Sequence, residues 1–144
     1  MHVERTFTVA TPIEEVFDYL VDFEHTNEWD PGTIETRRIS GDGGVGTKYH
    51  NESEFAGRKT ELTYESVAQE RPTRLQFRGT NKTATATDTL TFSPAGGGTQ
   101  VHYRADFEFT FPISLVAPLV VKPKLGGIAD ETVEQMKRTL ESLR

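Results

Sequence analysis

Between Thr33 and Thr110 apolar and polar side chains alternate with a period of two, and turn-forming residues cut the alternation at short intervals. A period of two puts successive side chains on opposite faces of an extended chain, so this stretch predicts a meander of antiparallel strands with one buried face. Gly41 to Gly46, Ala56-Gly57, Arg71-Pro72, Asn81-Lys82 and Pro94 to Gly98 supply the breaks. They leave strands near 34–39, 47–55, 58–69, 73–80, 83–93 and 99–110. An alternating run from Val3 to Val9 adds a seventh.

The same alternation sorts residues by face. Thr85, Thr87, Thr89 and Thr91 form one β-branched row compatible with solvent, so Ala84, Ala86, Asp88, Leu90 and Phe92 share the opposite face. Val101, Tyr103, Ala105, Phe107 and Phe109 point inward by this rule, as do Leu75, Phe77 and Gly79 on one neighbour and Leu62 and Tyr64 on the next. In the run 47–55 the choice stays open, because Tyr49, Asn51, Ser53 and Phe55 alternate with Lys48, His50, Glu52 and Glu54.

Helical spacing brackets the meander. Thr11, Pro12 and Glu14 read as the N-cap, first residue and third position of a capping box, with Val16, Phe17 and Leu20 as the apolar face. A second short helix is expected from Asp22, with Phe23 and the sole tryptophan, Trp29, turned inward before Pro31 ends it. At the other end Leu125, Ile128, Thr132, Met136, Leu140 and Leu143 fall on one stripe, opposite Asp130, Glu131, Glu134, Lys137, Arg138 and Glu141. Pro118, Pro123 and Gly126-Gly127 argue against one unbroken helix from residue 113. A short apolar piece, a break and then the long helix are expected instead.

Strand, two short helices, six-strand meander and long final helix is the order of the helix-grip fold. The chain resembles the SRPBCC or START-like superfamily, which includes polyketide cyclases and dehydrases, coenzyme Q-binding proteins, START lipid-transfer domains and the pollen-allergen and plant-hormone-receptor proteins. The carriers are Thr11-Pro12 with Val16, Asp22 to Trp29-Asp30-Pro31, the loop Gly41 to Thr47, and Met136-Lys137 with Leu140-Glu141. The polyketide cyclase/dehydrase and coenzyme Q-binding-like members are nearest in look. The resemblance implies a single α+β domain over residues 1–144, with a curved seven-stranded antiparallel sheet around the C-terminal helix and an apolar cavity between them. Members of the superfamily bind lipids, polyketides, sterols, quinones or hormones, and only some catalyse a reaction. Function therefore has to be argued from the site.

Composition removes several function classes. The chain has no cysteine, which excludes disulfides, thiolate metal sites and cysteine nucleophiles and points to a cytoplasmic protein. Its net charge is −6 and its basic residues are scattered, so nucleic acid is not an expected partner. The longest uncharged apolar stretch, Phe109 to Val121, is thirteen residues long and holds Pro112 and Pro118, whereas a membrane-spanning helix needs about 20. Gly41 to Gly46 matches a dinucleotide fingerprint in letters, but it opens a strand rather than a helix and so reads as a hairpin loop. His2, His25, His50 and His102 lack metal-ligand spacing, and no serine sits in a nucleophile elbow. Neither a metal nor a cofactor is expected.

The inward row holds the candidates. Tyr49, Tyr64, Phe77, Tyr103 and Phe107, with small Ala86 and Ala105 between them and Met136 on the helix above, describe apolar walls with space to hold a small, mostly apolar ligand. Asn51 and the tyrosine hydroxyls offer hydrogen bonds to it. Asp88 is the outlier, a carboxylate on the apolar side, and reads either as a ligand anchor or acid/base group or as one half of a salt bridge with an arginine. Three functions stay open: binding of a lipid-like or polyketide-like ligand, a polyketide cyclase or dehydratase working through Asp88, and an interaction module, such as a homodimer, formed through residues 111–121.

Overall fold

The computed structural model describes residues 1–143. β1 (His2–Val9) leads into α1 (Ile13–Leu20), a 3₁₀ turn over Phe23–His25 and α2 (Thr26–Trp29). The meander follows as β2 (Thr33–Ser40), β3 (Lys48–Phe55), β4 (Arg58–Glu70), β5 (Arg74–Thr80), β6 (Ala84–Ala95) and β7 (Gly98–Phe109), and the chain ends on α3 (Ile113–Val120) and α4 (Lys122–Glu141). All seven strands join one antiparallel sheet in the order β1-β7-β6-β5-β4-β3-β2, the helix-grip topology. Register shifts between Thr33 and Glu35, between Arg38 and Ser40 and between Ser66 and Ala68 bend the sheet, because an extra residue on one strand increases local twist.

Most strand limits fall within one or two residues of those read from the pattern. The turn between β6 and β7 is tighter than expected: Gly96-Gly97 alone make the loop, so the strands run on to Ala95 and Gly98 and Pro94 pairs with Thr99. In β3 the open choice resolves with Tyr49 and Asn51 buried and Lys48 exposed.

Two helical expectations need correction. Thr11 does not cap α1; Pro12 holds the N-cap position with no side-chain hydrogen bond. The Thr11 hydroxyl is instead buried and donates to the Leu140 carbonyl at 2.7 Å, a partner no local pattern reveals. The expected break between the short apolar piece and the long helix falls at Val121, and Pro123 sits in the first turn of α4 where its missing N–H costs no helical bond. The buried stripe of α4 runs through Leu125, Ala129, Thr132, Met136 and Leu140, whereas Leu143 lies past the helix end and is exposed.

α4 packs on the inner face of the sheet. Met136 and Leu140 join Val9, Val16, Phe17, Leu20, Phe92 and Val101 in one continuous core. Two polar ties fix the helix on β1: Arg5 pairs with Asp130 at 2.7 Å, and the corner after β1 binds the C-terminal turn through Thr11 to Leu140 and the Ala10 amide to Glu141 at 3.0 Å. The Thr99 hydroxyl closes the corner by donating to the Thr11 carbonyl at 2.7 Å.

Candidate functional site

Register brings the inward residues into rows across the sheet. One row runs Tyr49, Tyr64, Gly79, Ala86, Phe107 from β3 to β7. The next runs Ser66, Phe77, Asp88, Ala105, Val3 from β4 to β1, and the third brings Leu75, Leu90 and Tyr103 together. Asp88 thus lies at the middle of the sheet, between Phe77 and Ala105, with Tyr103 one pair further along β7.

Tyr64 reaches the same place because Gly79 has no side chain. A Cβ on Gly79 would lie 2.6 to 2.8 Å from the hydroxyl-bearing end of the Tyr64 ring, so the ring occupies the space above β5. Phe23, from the 3₁₀ turn, covers it from above, with ring centroids 4.5 Å from Tyr64, 4.6 Å from Phe77 and 5.7 Å from Tyr49. Gly79→Ala is expected to displace that ring and cost about 1 to 3 kcal/mol, the usual range for overpacking. Chemical denaturation of the variant, with tyrosine fluorescence as a second readout, checks this; an unchanged denaturation midpoint would contradict it.

Among the described residues Asp88 forms no ion pair, and its hydrogen-bond partner is the Tyr103 hydroxyl, which donates over 3.4 Å, long for an O–H···O bond. The salt-bridge reading therefore has no arginine to rest on. Burial pushes the Asp88 carboxyl up to about 7, with the negative charges of Asp30 and then Asp106 adding to the rise and the Tyr103 hydrogen bond opposing it. Burial likewise raises both Tyr64 and Tyr103 well above the ordinary phenol value, with the Asp88 charge next in effect. All three groups stay neutral near pH 7 or, for Asp88, are balanced between its two forms.

The remaining candidates sort into other surroundings. Ala86 and Ala105 flank Asp88 and are buried, and Met136 lies in the core under α4. Asn51 donates to the Thr36 hydroxyl at 2.8 Å and accepts from Ser53 at 2.7 Å, which stitches β3 to β2; a 2.6 Å contact between Thr26 and Thr36 extends the link to α2. Phe107 is half-buried, lies one row from Asp88 opposite Ala86, stacks on Phe55 at 5.0 Å and packs against both the main core and the smaller cluster at α3.

Two contributors were not among the candidate ligand-binding residues. Asp30 acts on Asp88, Tyr64 and Tyr103 through its charge; its own carboxyl is raised by burial, against hydrogen bonds from the Gly32 amide and the Thr33 hydroxyl. Trp29 sits with its ring centroid 6.4 Å from that of Tyr103, edge on, and its indole N–H is buried with no hydrogen-bond partner among the described residues. The aspartate following the chain's one tryptophan was the available signal, but only the folded α2 corner shows where it lies.

Comparison with known proteins follows this geometry. The sequence model of the family described as polyketide cyclase/dehydrase and lipid transport matches residues 1–141. A protein of Thermus thermophilus shares 21% identity, with a TM-score of 0.78 over 99% of this chain and 95% of its own. A START superfamily protein from Mycobacterium smegmatis gives 18% identity and a TM-score of 0.73 over 98% of this chain and 94% of its own. The Zhui aromatase/cyclase from a Streptomyces species gives 16% and 0.75 over 99% and 92%. At such identities the likeness shows the fold alone. No curated protein matches the chain in sequence.

Proposed function

Because the chain belongs to the polyketide cyclase/dehydrase and lipid transport family, we propose that it holds a small, mostly apolar ligand between the inner face of the sheet and α4. Asp88, Tyr64 and Tyr103 address the polar end of that ligand. One observation carries the reading: a carboxyl at the centre of an apolar sheet face that has, among the described residues, no ion pair and a single long hydrogen bond. A buried carboxyl is costly unless partnered, and a ligand hydroxyl or carbonyl supplies the partner the protein does not. The three residues each keep 8% of their surface accessible, which leaves a small area of each for a ligand to touch. Apolar contact supplies the affinity, at about 25 cal/mol per Å² removed from water before ordering costs are subtracted.

Ala105→Phe tests the space. The side chain is expected to occupy ligand volume, so that binding of phenylnaphthylamine, a neutral fluorescent probe, falls roughly tenfold or more while the melting temperature changes little. Unchanged probe binding, together with a stability loss of about 1 to 3 kcal/mol from overpacking, would mean a closed core at this position.

A second reading has its own support. A carboxyl poised at about 7 between two neutral phenols is suited to proton transfer near neutral pH, as aldol closure and dehydration of a poly-ketone chain require. Turnover of a supplied poly-ketone, abolished in Asp88→Asn, distinguishes an enzyme from a carrier.

A further inference from the structure

α3 is apolar on every side and almost uncovered. Phe111 and Leu119 are each 77% exposed, Leu115, Val116 and Val120 are more than half exposed, and within the helix only Ala117 is buried. A helix of this composition is stable where something apolar covers it, and an exposed patch of this kind marks an interaction surface. Among the described residues no helix is long and apolar enough to cross a membrane, and α3 at eight residues is only about 12 Å long.

The surroundings of α3 identify what covers it. Lys122 and Lys124 follow directly, and no acidic residue occurs from Phe109 to Ala129 in a chain whose net charge is −6. The β3–β4 hairpin brings Arg58 alongside, since Lys124 donates to the Ala56 carbonyl at 3.4 Å. The β5–β6 loop brings Lys82, whose carbonyl accepts from the Thr110 hydroxyl at 3.4 Å. These four basic residues are exposed and form no ion pair among the described residues, whereas Lys59, also on the hairpin, is held by Glu52 at 2.7 Å. Glu108 is the nearest carboxylate along the chain. It lines, with Met1, Phe107, Phe109, Ser114 and Pro118, a recess of about 400 Å³ at the foot of α3.

We infer that α3 is a docking helix for an anionic lipid surface, lying in the plane of the headgroups with its apolar side chains among the acyl chains and Arg58, Lys82, Lys122 and Lys124 on the lipid phosphates and carboxylates. A second copy of the chain fits less well, because a two-fold contact through α3 would set the four cations of one copy against the same four of the other. The docking is independent of what the sheet encloses.

Co-sedimentation with vesicles of phosphatidylcholine and phosphatidylserine at 7:3, against phosphatidylcholine alone, tests it on the full chain. The protein is expected to pellet with the anionic vesicles and far less with the neutral ones. The pair Leu115→Glu with Leu119→Glu, and separately the pair Lys122→Gln with Lys124→Gln, should each lower partition roughly tenfold or more without changing the melting temperature, since all four side chains are exposed. Three results would overturn the assignment: no pelleting at millimolar anionic lipid, partition indifferent to the leucine pair, or a dimer in sedimentation velocity that Leu119→Glu dissociates.

Discussion

Asp88→Asn is expected to raise the melting temperature at pH 8 by roughly 5 to 10 °C. The carboxyl titrates at about 7 in the folded chain against an ordinary value of 3.8. Between those values the native state keeps a proton that the unfolded state releases, so stability falls by up to about 1.4 kcal/mol for each unit of rising pH and levels off above about 7. The full penalty is on the order of 4 kcal/mol at most, and structural relaxation reduces it. Asparagine removes the ionisation, retains the shape and can still accept from Tyr103. The gain should therefore be large at pH 8 and small at pH 4.5, which urea denaturation at the two values measures. Asp30, raised in the same direction by burial, leaves a decline with pH in the variant as well. A clear loss of stability at pH 8 would instead mean that the ionised carboxylate is well satisfied in the fold, and would remove the argument that it awaits a ligand.

Gly98→Ala should do the opposite, and strongly. A Cβ at this position would stand 2.1 Å from the Val9 carbonyl oxygen and 3.0 Å from the Ala10 Cα. Both obstacles are backbone, so neither can rotate away as a side chain can. Relief requires moving the β1–α1 corner, and with it Thr11 and Ala10, which hold the last turn of α4. A loss of about 3 kcal/mol or more is expected, and the melting temperature should fall by roughly 10 °C. Gly127→Ala is the control: it lies in α4, a Cβ there meets nothing within 4 Å, and the gain in helix propensity should stabilise the protein by about 0.5 to 1 kcal/mol. If both variants melt together, the close approach at Gly98 is not holding the corner.

What the pattern of residues discloses and what it hides divide along a physical line. Period-two alternation is enforced by the pleat itself, so the four threonines of β6 were enough to send Asp88 inward, and the order of β2 to β7 follows from the hairpin turns. The strands and the faces of their residues were readable in this way, and the helix-grip fold and the family followed from the chain's resemblance to a known superfamily. Interactions between distant segments were not. Thr11 carries every mark of an N-cap, yet its hydroxyl goes to a carbonyl on the last helix. The effect of Asp30 on Asp88 depends on how α2 folds over the sheet, and the placement of Tyr64 over Gly79 depends on the β4–β5 register. Pattern gives the face of a residue; the partner it meets there is a property of the assembled chain.

The sheet order also sets a timetable for synthesis. β1 has β7 as its only neighbour, with His2 opposite Asp106, while β2 to β6 each pair with strands adjacent in the chain. On the ribosome the hairpins of the meander can form one after another as they emerge, but β1, made before them, must wait, with Val3, Phe7 and Val9 uncovered, until almost the whole meander has followed. Closure of the sheet is then a long-range event, slow relative to hairpin formation. A strand made ahead of the meander is among the last to find its place.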